Sequence, residues 1–333
     1  MKARGRKVIG ALVLGAAATP FVLFACAELN LVRGAAAVET EWRNDRPPPL
    51  GAFGATRRLV ILPLVDHHVS SPTLLGEPGV SYLVTTDGSA VLFDLGLNAR
   101  GADPSPLQHN LATLSVAMSA IDTIVISHRH GDHTGGQKWA ASNTFSFGVT
   151  QTDLASKRAF VPVPMSYPGL SPVLAHAPTR IAPGVATTGT IPRQLLVGRV
   201  DEQALAVNVD GKGIVLIVGC GHQTIERLLA RASEVFREPI YGIVGGLHYP
   251  VPNGRLTPLG INMQLRVASG SGPFHPITVD DVEADIARLK ELNLGYVAVG
   301  GHDSSDEVIE RFRSVFGPAY HDLAVGSPLT ISE

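Results

Sequence analysis

The chain has 333 residues, 45% of them hydrophobic and 17% charged, with a net charge of −2. That length buries a full core in one large domain or two modest ones, and the composition excludes a chain disordered over most of its length. Near-neutral charge, without a basic stripe carrying interleaved aromatics, excludes a nucleic-acid footprint, and two cysteines in unlike contexts, Cys26 and Cys220, make no disulfide framework.

In chain order, the first feature is a processing segment. "MKARGRK" supplies basic residues, and "VIGALVLGAAATPFVLFACA" follows without a charge before Glu28. The apolar run is long for a cleaved signal and close to the roughly 20 residues that span a bilayer. Three readings stand. "LFAC" resembles a lipobox that would lipidate Cys26; "RGAAAVE" offers small residues for ordinary cleavage; an uncleaved anchor would keep its basic end in the cytoplasm. Under each, residues 1–32 engage a membrane or the export machinery, and the rest of the chain is expected on the extracytoplasmic, periplasmic side. Residues 33–57, with "RNDRPPPLGAFGATRR", read as a Pro/Gly-rich linker, and 58–333 as one catalytic domain.

"RLVILPLVD" (58–66) and "GVSYLVTTDGSAVLFDLG" (79–96) carry short apolar strands, the latter a hairpin turning at Thr-Thr-Asp-Gly. "LQHNLATLSVAM" (107–118) has helical spacing and "IDTIVIS" (121–127) reads as a buried strand. "LAVNVDGKGIVLIVG" (205–219) predicts a second hairpin with Asp-Gly at its turn, and "QTIERLLARASEVF" (223–236) an amphipathic helix. After the strand "IYGIVGG" (240–246), "TVDDVEADIARLKELN" predicts a helix capped by Thr278 with acids in its first turn. The strand "YVAVGG" (296–301) and the helix "SSDEVIERFRSVFG" (304–317), ended by Gly317, are the last elements. Hairpins that give way to alternating strands and helices predict an α+β fold with mixed sheets covered by helices.

Apolar strands repeatedly end in a polar residue: Asp94, His128, Cys220 with His222, His248 and His302. One sheet edge can collect all of them. The densest of these ends, "SHRHGDHTGG", holds three of the chain's 12 histidines. His128, His130, Asp132 and His133 are too tightly spaced for one ion to use all four. The spacing therefore points to His128 and His130 on one ion and Asp132 and His133 on a second, in a site of the two-metal type. Zinc suits such histidine-rich ligation, and iron and manganese can also use it.

His-x-His-x-Asp-His after an apolar strand resembles the signature of the metallo-β-lactamase superfamily. "EPGVSYLVTTDGSAVLFDLG" is similar to the hairpin leading to that family's strand-end aspartate, here Asp94. "DEQALAVNVDGKGIVLIVGCGHQTIERLLARA", "IYGIVGGLHYP" and "LKELNLGYVAVGGHDSSDEVIERFRSVFG" resemble the branch around the dihydropterin–ribofuranosylaminobenzene phosphate synthase-like proteins. The resemblance covers about residues 58–326 and implies an αββα four-layer sandwich of two mixed sheets flanked by helices. It also implies His128, His130 and His222 on a first divalent ion, and Asp132, His133 and His302 on a second. Asp94 would orient a ligand from behind, Cys220 would be an alternative ligand to His222 or a thiol packed beside the site, and His248 a proton donor or substrate contact.

The chain departs from the branch in two places: Gln151 stands near where His-Pro is usual, and His302-Asp303-Ser304-Ser305 replaces His-Cys-Thr-Gly. Two Pro/Gly-rich stretches, 160–172 and 251–276, read as long loops that set substrate choice. The implied chemistry is hydrolysis of a small-molecule ester, lactone or phosphoester by a hydroxide activated at the two ions, with Asp132, His248 and His302 as the catalytic set. The synthase chemistry of the branch and a membrane-tethered metal- or ligand-binding protein without catalysis are the rival readings. A dinucleotide fold is excluded because "VGCGHQT" lacks the third glycine, and no Gly-x-Ser-x-Gly elbow is present.

Overall fold

In a computed structural model, residues 25–333 are described. The apolar run expected to act as a signal or anchor falls largely before them, so that reading lies mostly outside the described residues. Among these, no helix is long and apolar enough to cross a membrane. Cys26 is exposed in helix α1, described over residues 25–44.

The stretch expected as a linker is therefore helical as far as residue 44, and it is docked on the domain rather than free. Trp42 packs against the hydrophobic core and Phe53 is buried within it. Arg231 is fully buried and pairs with Asp45, and its guanidinium also lies 5.2 Å from the Trp42 ring. Local composition could not show this, because the partners that anchor the stretch come from almost 190 residues away. Removing one side of such a pair strands a buried charge. Asp45→Ala should thus lower stability by about 2 kcal/mol, discounted because Asp45 keeps contact with water. A urea-denaturation midpoint unchanged from wild type would contradict this.

The first sheet is built from β1 (Arg58–Val65), β2 (Ser81–Thr85), β3 (Ala90–Phe93), β4 (Thr123–Val125), β5 (Arg158–Val161) and β6 (Val173–Leu174), paired in that order. The β2–β3 hairpin turns at Asp87-Gly88 as its sequence predicts. Helix α2 (Pro106–Thr113) stops short of the expected residue 118, and α3 (Gly131–Thr134) and α4 (Gln137–Ala141) are single turns after β4. The second sheet contains β7 (Thr179–Ala182), β8 (Val185–Thr187), β11 (Leu205–Val209), β12 (Gly213–Val218), β13 (Ile240–Gly245) and β14 (Tyr296–Val299), in the order β14-β13-β12-β11-β8-β7. A separate hairpin, β9 (Ile191–Leu195) and β10 (Gly198–Glu202), stands beside it, and β15 (Leu329–Ser332) returns to pair with β1.

Period-two alternation explains the layering. In β1, Leu59 and Ile61 face the space between the sheets, while Leu62 and Leu64 face α2. In β12, Val215 and Ile217 face between the sheets and Ile214, Leu216 and Val218 face the opposite helices. Both sheets are thus covered on both faces, which is why their strands read as continuous apolar runs. Helices α5 (Ile225–Val235), α7 (Val279–Glu291) and α8 (Asp306–Phe316) cover the second sheet. In α5 the buried stripe is Ile225, Leu228, Ala232 and Val235, at helical spacing. Thr278 forms a capping box with Asp281 on α7, and Gly317 ends α8 with φ 50°. The expected four-layer αββα architecture is what forms.

The two long stretches behave differently. Residues 158–161 form β5, so the first stretch begins in a strand, and Met165 and Tyr167 of that stretch are buried beneath α2, Tyr167 stacking on Phe145. Residues 251–276 hold only a 3-10 turn (Pro258–Gly260) and one short helix, α6 (Met263–Val267), and run along the site.

Candidate metal centre

Strands β3 and β4 are parallel neighbours in the first sheet, and β12, β13 and β14 are parallel in the second. Their C-terminal ends meet at one edge, bringing Asp94, the 127–133 turn, Cys220, His222, His248 and His302 together. The approach is too close for side chains on the intervening backbone. A Cβ on Gly219 would meet Ser127 Oγ at 2.2 Å, and one on Gly246 would meet the His302 ring at 2.4 Å.

His128, His130 and His222 present ring nitrogens within 4.8 Å of one another, the grouping that the resemblance implies for a first ion. His128 Nε2 lies 3.1 Å from His130 Nδ1. Burial pushes His128 and His222 well below the usual histidine range, with neighbouring imidazoles adding to the effect, so both favour the neutral form that binds metal.

The second expected set is also near together, the His133 and His302 rings 5.7 Å apart, centroid to centroid. His133 is 3.5 Å from Asp132, but the close donor groups among the described residues leave Asp132 out. Cys220 stands between the histidines instead, its Sγ 3.1 Å from His133 Nε2 and 3.3 Å from His302 Nε2. Cys220 also groups with His302 and Asp303, and with His222 and His248. Both Cys220 and His222 reach the centre. Although burial opposes it, the His133 imidazole holds the Asp132 carboxyl below the usual carboxylate range.

Behind these side chains stands a frame of buried carboxylates. Asp94 accepts from the Ser127 N–H at 2.7 Å and the Ser127 hydroxyl at 2.6 Å, and lies 2.7 Å from His133 Nδ1. That contact fixes which ring nitrogen His133 turns to the site. Three further members were not expected from the sequence. Asp66, at the end of β1, accepts from Tyr82 Oη and the Gly301 N–H, beside His302. Glu202, at the end of β10, accepts the N–H groups of Cys220, Gly221 and His222. Asp303 accepts the His248 N–H at 3.0 Å, holding that residue at φ 54°. Asp66 obeys the same strand-end rule as Asp94; Glu202 gave no signal, because the β9–β10 hairpin was not legible.

Both ring nitrogens of His222 and His248, and Nδ1 of His302, are buried without a hydrogen-bond partner. Buried polar atoms left unpaired in this way are costly, and a divalent cation would satisfy imidazoles beside a thiol and carboxylates. The residues fit such an ion. Beside His222 and His248 a cavity of about 50 Å³ is walled by Leu195, Ile225, Leu247 and Ile277 and by residues 268–270 of the long stretch.

The sequence profile of the metallo-β-lactamase superfamily matches residues 74–145, which include the histidine cluster. The chain is 25% identical to a 7,8-dihydropterin-6-methyl-4-(β-D-ribofuranosyl)-aminobenzene-5'-phosphate synthase of Methanocaldococcus jannaschii, over 52% of this chain and 71% of the relative. Among solved structures it is similar in fold to Tm1679, a metal-dependent hydrolase of the β-lactamase superfamily (TM-score 0.57, 20% identity, 83% of this chain and 100% of the other). It is likewise similar to YhfI of Bacillus subtilis, a metallo-β-lactamase fold protein (TM-score 0.51, 12% identity, 81% and 99%).

Proposed function

We propose, from the premise that the chain belongs to the metallo-β-lactamase superfamily, that it is a metal-dependent hydrolase of a small-molecule ester, lactone or phosphoester. His128, His130 and His222 would hold one divalent ion; Cys220, in contact with both His133 and His302, would hold a second with them, with Asp132 and Asp303 the carboxylates beside it. The observation that carries the reading is the gathering of buried, unpartnered imidazole nitrogens where the two sheets' strand ends meet. Bound divalent ions would supply Lewis acidity and lower the pKa of water from 15.7 to about 7.

The chain's own groups do the rest. Asp94 locks the His133 ring, and Ser127 Oγ, 3.0 Å from His128 Nδ1, leaves His128 Nε2 for the site. The apolar wall of Leu195, Ile225, Leu247 and Ile277 restricts bulk water. His248 lines the cavity, its backbone pinned by Asp303 and its ring nitrogens without a hydrogen bond, Nδ1 3.6 Å from the Asp303 carboxylate, so it is the side chain placed to pass a proton to the leaving group. His248→Ala should lower kcat about a hundredfold while bound metal, read by elemental analysis, stays at the wild-type level. A kcat within threefold of wild type would remove His248 from the mechanism.

The likeness to the Methanocaldococcus jannaschii relative favours a second reading, condensation of a pterin with a phosphorylated ribosyl arene. The deciding experiment is a screen of phosphodiesters, lactones, carboxylic esters and β-lactams with the metal-replete full chain, with and without chelator. The hydrolase reading expects chelator-sensitive cleavage in at least one class. Cleavage of none, with metal bound, would move the assignment to the condensing or the non-catalytic reading.

A further inference from the structure

The small cavity beside His222 and His248 opens outward through a neck formed by Arg193, Thr224, Gly270, Ile277 and Asp285, which line both it and an outer basin of about 880 Å³. The outer basin has the volume of a small-molecule site; the inner cavity has room for only a few atoms. Helix α1 and the 251–276 stretch both supply parts of its wall, Trp42 from the one and Phe274 from the other.

Charge at this neck is unevenly satisfied. Arg227 is bound to Glu39 at 2.6 Å, and Arg288 to Asp285 at 3.0 Å. The Asp285 carboxylate also accepts Tyr249 Oη at 3.0 Å, so its charge is spoken for. Arg193 differs. Its Nη2 donates to Gly270 O at 2.7 Å, and among the described residues no carboxylate lies within ion-pair distance of it. A guanidinium carries five donors in a planar fork, so most remain open where the residue lines the cavity. Burial and the neighbouring Arg227 pull it below the usual arginine range, and Glu39, bound to Arg227, offsets this only in part. The N-terminal end of α5 adds a second positive element: Thr224 lines the neck and Ile225 the inner cavity, Thr224 makes no side-chain cap, and the first-turn Glu226 faces the outer basin.

We propose that Arg193 recognises an anionic group of the substrate, a carboxylate or a phosphate, held at the neck while the uncharged remainder lies in the outer basin against Trp42. The assignment names a substrate class for the hydrolytic site and rests on that reading for its kinetic test, though not for its binding test. A partly buried guanidinium flanked by a helix N-terminus favours a planar or tetrahedral oxyanion over any neutral group. The reacting bond would then lie inward of the anion, next to His248.

The kinetic test compares p-nitrophenyl butyrate with mono-(p-nitrophenyl) succinate on the metal-replete full chain. Wild type should prefer the anionic ester, and Arg193→Met should lose at least tenfold more in kcat/KM on the anionic ester than on the neutral one, through KM. Arg193→Lys should recover part of the difference, since it keeps the charge but not the fork. Equal losses on both esters would overturn the proposal and make Arg193 a strut for residue 270. The binding test is calorimetry of succinate and of inorganic phosphate against chelator-treated protein. Wild type should bind at least one of them and Arg193→Met neither, and whichever ion binds tells a carboxylate site from a phosphate site. If wild type binds neither ion, the proposal fails; if it binds but cleaves no ester, the anion site stands and only the hydrolase reading falls. Should the methionine variant misfold, Arg193→Gln, which retains a donor to Gly270, serves the same comparison.

Discussion

Glu202→Ala is expected to destabilise the protein by about 3 kcal/mol or more and to weaken metal binding, although Glu202 touches no ion-binding atom. The side chain is fully buried. Its Oε1 accepts the Cys220 and Gly221 N–H groups, both at 2.9 Å, and its Oε2 accepts the His222 N–H at 2.8 Å. Alanine would leave three donors unpaired in a closed interior, at about 1–3 kcal/mol each before relaxation. Burial pushes the carboxyl up to about 7, against the three N–H groups that favour its charged form. Glu202→Gln, which keeps one acceptor, should fall between wild type and alanine. Guanidinium unfolding of the metal-free protein measures the stability term, and zinc titration measures the second effect, expected at ten- to a hundredfold in affinity. A stability change under 0.5 kcal/mol would show that the 220–222 turn holds itself.

Glu202 is a residue the sequence did not reveal, and the reason is physical. What local pattern encodes was legible: the β2–β3 and β11–β12 hairpins by their Asp-Gly turns, α7 by its Thr278 cap, and α8 by Gly317. The strand-end rule found Asp94, His128, Cys220, His222, His248 and His302, because a polar residue closing an apolar run is visible in one dimension. The same rule applies to Asp66, which closes "RLVILPLVD". Glu202 and Asp303 act through backbone N–H groups of other elements, 18 and 55 residues along the chain, and no local pattern marks that. The docking of residues 33–57 was hidden for the same reason, since Asp45 answers Arg231 and Trp42 lies beside both Arg227 and Arg231. The two long stretches look alike in composition, yet 251–276 walls the site while 160–172 packs beneath α2.

His130→Ala should carry the largest functional effect. Its ring lies 4.6 Å from that of His128 and 5.0 Å from that of His222, centroid to centroid, so alanine removes one of three imidazoles from the first expected ion. His130 is partly exposed at the start of α3, and its loss opens no closed void. The metal-free variant should keep its stability within about 1 kcal/mol. Turnover of any substrate found in the screen should fall at least about a thousandfold, as expected when the ion that activates water is lost. Elemental analysis of the full chain, purified after metal-replete expression, tests the central claim most directly. Two transition-metal ions per wild-type chain, and at most one in His130→Ala, is the predicted result. A wild-type chain without bound transition metal, or equal metal content in the two proteins, would contradict it.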